Sequence, residues 1–271
     1  MANNKISNED ENSNQSDVIS NGSGAAEGSH PAKGSSTRRR GIYLLPNSLT
    51  TGALFAGFYA VIAAMNGQFE GASLAIFIAM ILDGLDGRVA RMTNTQSDFG
   101  AEYDSLSDMI SFGIGPALIM YTWSLSSLGK IGWIASFVYV VGAALRLARF
   151  NTQLGHADKR YFQGLASPAA AGFLVGFVWL CAENDISGQS LSYLVLIFTV
   201  GVGLLMVSNV KYRSFKDLDL KNKVPFVTIL IMVLIFVSIV YQPPLILFTI
   251  FALYTFSGLI GYLIRKFKKL K

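Results

Sequence analysis

Residues Ile81–Ser111 read ILDGLDGRVARMTNTQSDFGAEYDSLSDMIS, and their spacing decides the fold. Four aspartates (Asp83, Asp86, Asp104 and Asp108) lie in or beside segments otherwise apolar enough to sit in a bilayer. The periodicity predicts helices over Ser73–Arg91 and Gly100–Thr122, joined by a short turn. Helix neighbours recur at three and four residues, so Asp83, Gly87, Ala90 and Arg91 share one face, as do Gly100, Asp104 and Asp108. In an antiparallel hairpin, residues at equal height keep a constant index sum. That rule sets Arg91 opposite Gly100, Gly87 opposite Asp104 and Asp83 opposite Asp108, with Asp86 beside Asp104. At about 1.5 Å rise per residue, the carboxylates fall within roughly 8 Å of one another along the axis.

Carboxylates that close repel unless something positive holds them. Ionisable groups inside a membrane are costly and by default functional. Oxygen-only ligands suit hard cations such as Mg2+ or Mn2+. The only histidines are His30 and His156 and the only cysteine is Cys181, so no Cys/His zinc set can be assembled. The stretch reads as a carboxylate site for one or two metal ions. The competing reading makes the aspartates structural partners of Arg88 and Arg91, which leaves four acids to two arginines.

Beyond this hairpin, the composition points to the membrane: 52% hydrophobic, 14% charged, with long apolar runs. The net charge of +5 is dispersed between apolar spans rather than gathered on a soluble face. Anionic lipid headgroups, not nucleic acid, are the expected counter-charge. Residues 1–40, rich in Asn, Ser and Gly, are expected to form a disordered cytosolic tail without a signal peptide. The Asn21–Ser23 glycosylation match is expected to be inert, and Arg38–Arg40 suit lipid contact or topogenesis.

Residues 41–271 read as one all-α, polytopic membrane helix bundle. Eight spans are expected, at about 47–65, 73–91, 100–122, 131–150, 167–183, 190–208, 224–241 and 244–264. Pro243 and Pro244 mark the last turn. Lys130 alone falls in the outer loops, whereas Lys159, Arg160, Lys211, Arg213, Lys216, Lys221 and Lys223 fall on the other side. By the positive-inside rule both termini, and the open end of the aspartate hairpin, are cytosolic in the cell (inner) membrane. Cys181 allows no intramolecular disulfide. Gly201, Gly203, Gly258 and Gly261 suit close helix contacts, within the chain or in the expected homodimer.

The complete string D-x2-D-G-x2-A-R-x8-G-x3-D-x3-D, from Asp83 to Asp108, resembles the signature of the CDP-alcohol phosphatidyltransferases. DFGAEYDSLSDMISFGIGPA, RLARFN and YFQGLASPAAAG, within a likeness running from about Pro46 to Gly172, resemble the membrane-embedded CDP-diacylglycerol–serine O-phosphatidyltransferases. Ala166 stands where that family usually has Pro. The resemblance implies the CDP-alcohol phosphotransferase fold, and transfer of a phosphatidyl group from CDP-diacylglycerol to the hydroxyl of L-serine with release of CMP. It implies Asp83, Asp86 and Asp104 as principal ligands of divalent ions, Mg2+ or Mn2+, two in number, with Asp108 completing the second and serving as general base. It implies nucleotide contacts from Asp86, Gly87, Ala90, Arg91 and Gly100, and from Asn47 and Thr50. Capping of the first span is the equal alternative for Asn47. Serine brings a carboxylate, which guanidinium holds with paired hydrogen bonds. Arg149 first, and Arg146 second, are the candidates, with Asn151 nearby.

Two rival classes remain. The same hairpin with another acceptor, glycerol 3-phosphate or inositol phosphate, calls for extra cations. A divalent-cation transporter calls for polar residues continuing to the outer face, where Leu74–Ile81 and Ile114–Met120 are almost wholly apolar.

Overall fold

In the computed structural model, the described residues are 36–153, 161–213 and 226–269. Helices dominate: α1 (Ser36–Met65), α2 (Phe69–Met92), α3 (Asp98–Asp108), a π-helical turn (Met109–Ile114), α4 (Gly115–Trp123), α5 (Lys130–Gln153), α6 (Ser167–Glu183), α7 (Ser192–Val207), α8 (Phe226–Tyr241) and α9 (Pro243–Lys269). Seven of the eight expected spans each overlap a single helix. Among the described residues, four stretches are long and apolar enough to cross a membrane: Leu45–Met65, Lys130–Thr152, Gly188–Val207 and Pro243–Ile264. Ser167–Glu183 and Val227–Tyr241 are shorter apolar helices.

Three expectations change. The helix that carries the first span begins at Ser36, inside the expected tail, and residues 1–35 with their glycosylation match lie outside the described residues. The third span is not one α-helix but α3, a π turn and α4 in series. The fold is also not purely helical, since β1 (Tyr161–Gln163) pairs antiparallel with β2 (Lys211–Arg213), Phe162 opposite Tyr212. The segments after α5 and α7 emerge at the same end of the bundle, where their free backbone groups satisfy each other. Lys159, Arg160, Lys216, Lys221 and Lys223 also lie outside the described residues.

Small side chains set the closest contacts. Ala53, Ala56, Ala60, Ala63 and Ala64 form a buried stripe on α1 that packs along Ala72, Ala75 and Ala79 of α2. Such stripes let helix backbones approach where no hydrophobic effect drives association. α6 sits centrally, against α2 and α9, with Phe173 and Phe177 clustered on Phe198 and Phe248. α8 contacts α9 and exposes apolar side chains from Val227 to Tyr241, as expected of a helix solvated by lipid.

The end of α7 is tied to two neighbours. Arg149 Nη1 donates to the Val207 carbonyl at 3.0 Å, and the Leu165 N–H donates to the Leu205 carbonyl at 3.1 Å, so carbonyls left open at a helix C-terminus find partners. Gly164 makes that approach with φ +79°, and its N–H donates to the Val210 carbonyl at 2.9 Å. Tyr212 is buried beneath, its ring against Gly258, and its hydroxyl donates to the Thr255 carbonyl at 3.1 Å. Burial pushes that phenol up to about 12, so it remains a donor at any physiological pH.

Of the packing glycines, Gly203 lies against α5, where an added Cβ would stand 2.9 Å from the Tyr139 Cα, whereas Gly201 faces open space. Gly203→Val is therefore expected to destabilise by about 1–3 kcal/mol and to lower the unfolding temperature in detergent. Gly201→Val is expected to leave it unchanged, and equal melting curves for the two variants would contradict this packing.

Candidate active site

Ser97 ends the turn after α2 and caps α3, its Oγ accepting from the Gly100 N–H at 3.0 Å. The cap starts α3 in the register that turns Asp104 and Asp108 towards α2. One oxygen each of Asp83, Asp104 and Asp108 lies within 4.8 Å of the others. The constant index sum had placed Asp83 opposite Asp108, and they do meet. Asp86 stands apart from this trio. It is 5% exposed, and its Oδ2 accepts from the Thr50 hydroxyl at 2.6 Å. α1 therefore holds the fourth carboxylate, while Ser107 Oγ donates to the Thr50 carbonyl at 3.2 Å and ties α3 to the same point.

Asn47 lies eleven residues inside α1, which removes the capping reading. Its neighbour Pro46 is also within the helix, and the Thr50 hydroxyl lies 3.1 Å from the Pro46 carbonyl. A cleft of about 500 Å³ opens beside Asp104 between α1, α2 and α3. Asn47, Thr50, Asp86, Gly87, Ala90, Arg91 and Gly100 all line it, together with Asp104. A Cβ at Gly87 would meet nothing within 4 Å, so the glycine leaves room in the cleft rather than serving a helix contact. The Arg91 Nε donates to the Gly87 carbonyl at 2.8 Å. Arg88 is exposed and outside the cleft lining. A larger hollow of about 580 Å³, at the far end of α2 around Glu70, Trp123 and Asp185, contains none of these residues.

The two arginines of RLARFN part company. Arg146 Nη1 donates to Ser167 Oγ at 2.6 Å, and the guanidinium lies near enough to Asp108 and Asp83 to interact with both. Arg149 faces α7 instead and binds its last turn. Asn151 Nδ2 donates to Ser105 Oγ at 3.0 Å, one residue after Asp104. Ser167, Ser105 and the turn residues Thr95, Gln96 and Ser97 escaped sequence reading. Ser167 alone had a signal, in the GLASP segment, but nothing in the chain pairs it with Arg146.

The donor set is entirely carboxylate oxygen, and Asp104 Oδ1 is buried without a hydrogen-bond partner. A buried carboxylate oxygen left unpaired is costly. A hard divalent cation fits these residues, because it would satisfy that oxygen and neutralise the cluster.

The sequence pattern of CDP-alcohol phosphatidyltransferases matches residues 43–207. The chain belongs to this family. Among curated relatives, the CDP-diacylglycerol–serine O-phosphatidyltransferase of Helicobacter pylori (strain ATCC 700392 / 26695) is 41% identical over 82% of this chain and 92% of the relative. Enzymes given the same name are 32% identical in Mycobacterium tuberculosis (strain ATCC 25618 / H37Rv), over 80% of this chain and 78% of the relative, and 33% identical in Bacillus subtilis (strain 168), over 66% and 94%. The family is generally dependent on divalent metal, and the aspartate trio of this chain has the geometry to hold one.

Removing a group that orients a metal ligand usually costs about 10–100-fold in affinity. Thr50→Val is therefore expected to weaken Mn2+ binding by about tenfold, read by calorimetry on the detergent-purified protein. Wild-type affinity in this variant would show that the Thr50–Asp86 bond has no part in the site.

Proposed function

We propose that the protein is a membrane-embedded phosphatidylserine synthase, moving the phosphatidyl group of CDP-diacylglycerol to L-serine and releasing CMP. The observation that carries this reading is the buried, unpartnered Asp104 oxygen within the trio, at the floor of a cleft lined by the signature residues. The names of relatives that match most of this chain support serine as acceptor.

The nucleotide lies along α2 and α1, in the room left by Gly87 and Ala90, with Arg91 at the mouth and Asn47, Thr50 and Gly100 beside it. Bound divalent cations, two in this reading and either Mg2+ or Mn2+, neutralise the diphosphate and the departing oxygen. Asp83, Asp86, Asp104 and Asp108 would hold them. The serine hydroxyl oxygen attacks the phosphorus that bears the diacylglycerol. Its proton passes to Asp108, the bridging P–O bond breaks, and CMP leaves with the electron pair.

Arg146, rather than Arg149, takes the serine carboxylate in this reading. Its charge lies beside Asp108, whereas Arg149 is engaged at the end of α7. Asn151 supports the acceptor pocket through Ser105. Eight spans, a homodimer, and cytosolic termini and cleft in the inner membrane complete the proposal. The cation asymmetry supports the orientation, since Lys130 opens α5 at the end away from the cleft. A transporter is disfavoured, because Ile76, Phe77, Ile119 and Met120 are buried on the side of the trio away from the cleft and offer no polar path.

CMP release from CDP-diacylglycerol is expected with serine and not with glycerol 3-phosphate or inositol phosphate. The reverse preference would overturn the acceptor assignment. Arg146→Lys is expected to raise the serine KM about tenfold or more, some 1.4 kcal/mol, with the CDP-diacylglycerol KM little changed. An unaltered serine KM would remove Arg146 from the acceptor site. Asp108→Asn should abolish turnover while retaining CDP-diacylglycerol binding, and substantial residual turnover would exclude it as the base.

A further inference from the structure

Asp108 is the last residue of α3, and the chain leaves it through the π turn Met109–Ile114. There the Gly115 N–H donates to the Ile110 carbonyl, five residues back rather than four. Two neighbours account for the wide turn. Pro116 has no N–H, so the Phe112 carbonyl lacks the donor that an α-helix would bring four residues on. The hydroxyl of Tyr139, fully buried on α5, donates to that carbonyl instead, at 2.9 Å. On the opposite face, Ser111 Oγ donates to the Ala53 carbonyl of α1 at 3.1 Å. Gly57 permits this approach, since a Cβ there would stand 2.8 Å from the Ser111 Cα. The turn is thus clamped between α1 and α5.

A π turn holds one residue more than the α-helical turn it replaces, and each residue rotates a helix by about 100°. α4 is anchored in the core through Ile119 and Met120. With α4 fixed, the extra residue decides which way α3 presents its last side chain. Annealed to α-helix, the same segment would swing Asp108 away from Asp83.

We propose that Tyr139 is a positioning residue: its bond to the Phe112 carbonyl, together with the missing N–H of Pro116, holds the π turn that aims Asp108 into the carboxylate trio. This rests on the trio being the metal-binding and catalytic centre. Tyr139→Phe deletes the bond. Pro116→Ala restores the N–H that a continuous α-helix uses.

The test measures Mn2+ affinity by calorimetry, kcat and KM for CMP release, and the unfolding temperature in detergent. Both variants are expected to lose about tenfold or more in Mn2+ affinity and in kcat, the cost of disturbing a ligand's support. The CDP-diacylglycerol KM should stay within about twofold, and Pro116→Ala should melt no lower than wild type, since proline in a helix interior is unfavourable. Wild-type kcat and Mn2+ affinity in either variant would overturn the proposal. So would losses that merely follow a lowered unfolding temperature. Failure of the wild-type protein to bind Mn2+ would instead sink the reading of the trio itself.

Discussion

Carboxylates gathered within 4.8 Å in an apolar bundle repel, and the rest of the structure answers to that constraint. Three helical segments and a turn are needed to hold them. α2 carries Asp83 and Asp86, α3 carries Asp104 and Asp108, and α1 lies against both and supplies Thr50. Ser107 and Ser111 each donate to a carbonyl of α1, so two polar contacts fix the height and rotation of the third span. Such contacts suit a lipid environment, where apolar burial between helices contributes little. The arrangement is stable in shape but unbalanced in charge. A divalent cation held there would offset the imbalance.

Arg146 and Arg149 illustrate how close sequence neighbours take different duties. They are one helical turn apart on α5, yet one approaches Asp108 and Ser167 while the other closes the end of α7. The surroundings explain the split. α6 begins beside Arg146 with Ser167 buried at its first position, and α7 ends beside Arg149 with carbonyls that need donors. Gly164 and the β1–β2 pair lock these two helix ends together. The Arg146 side of the carboxylate cluster is therefore framed by the same contacts that hold α5, α6 and α7 in place. A change at Arg149 would reach the chemistry through packing.

The helices of this protein were legible because their causes are local. Apolar runs of membrane length, the Pro243 break and the spacing of Asp83, Asp86, Asp104 and Asp108 are all written in consecutive residues. The meeting of Asp83 with Asp108 followed from helix rise and a short turn alone. The chain also excluded zinc, by lacking the histidines and cysteines for it. Tertiary structure decided what depends on residues far apart in the chain. The π turn lies where the Phe112 carbonyl, left without a donor by Pro116, meets a hydroxyl 27 positions away, and no window around Asp108 contains Tyr139. Asp86 leaves the trio because Thr50 reaches it from α1. The strand pair exists because two distant loops emerge at one end of the bundle. Periodicity reports which side of a helix faces inward, but only the packed bundle determines which groups wait there.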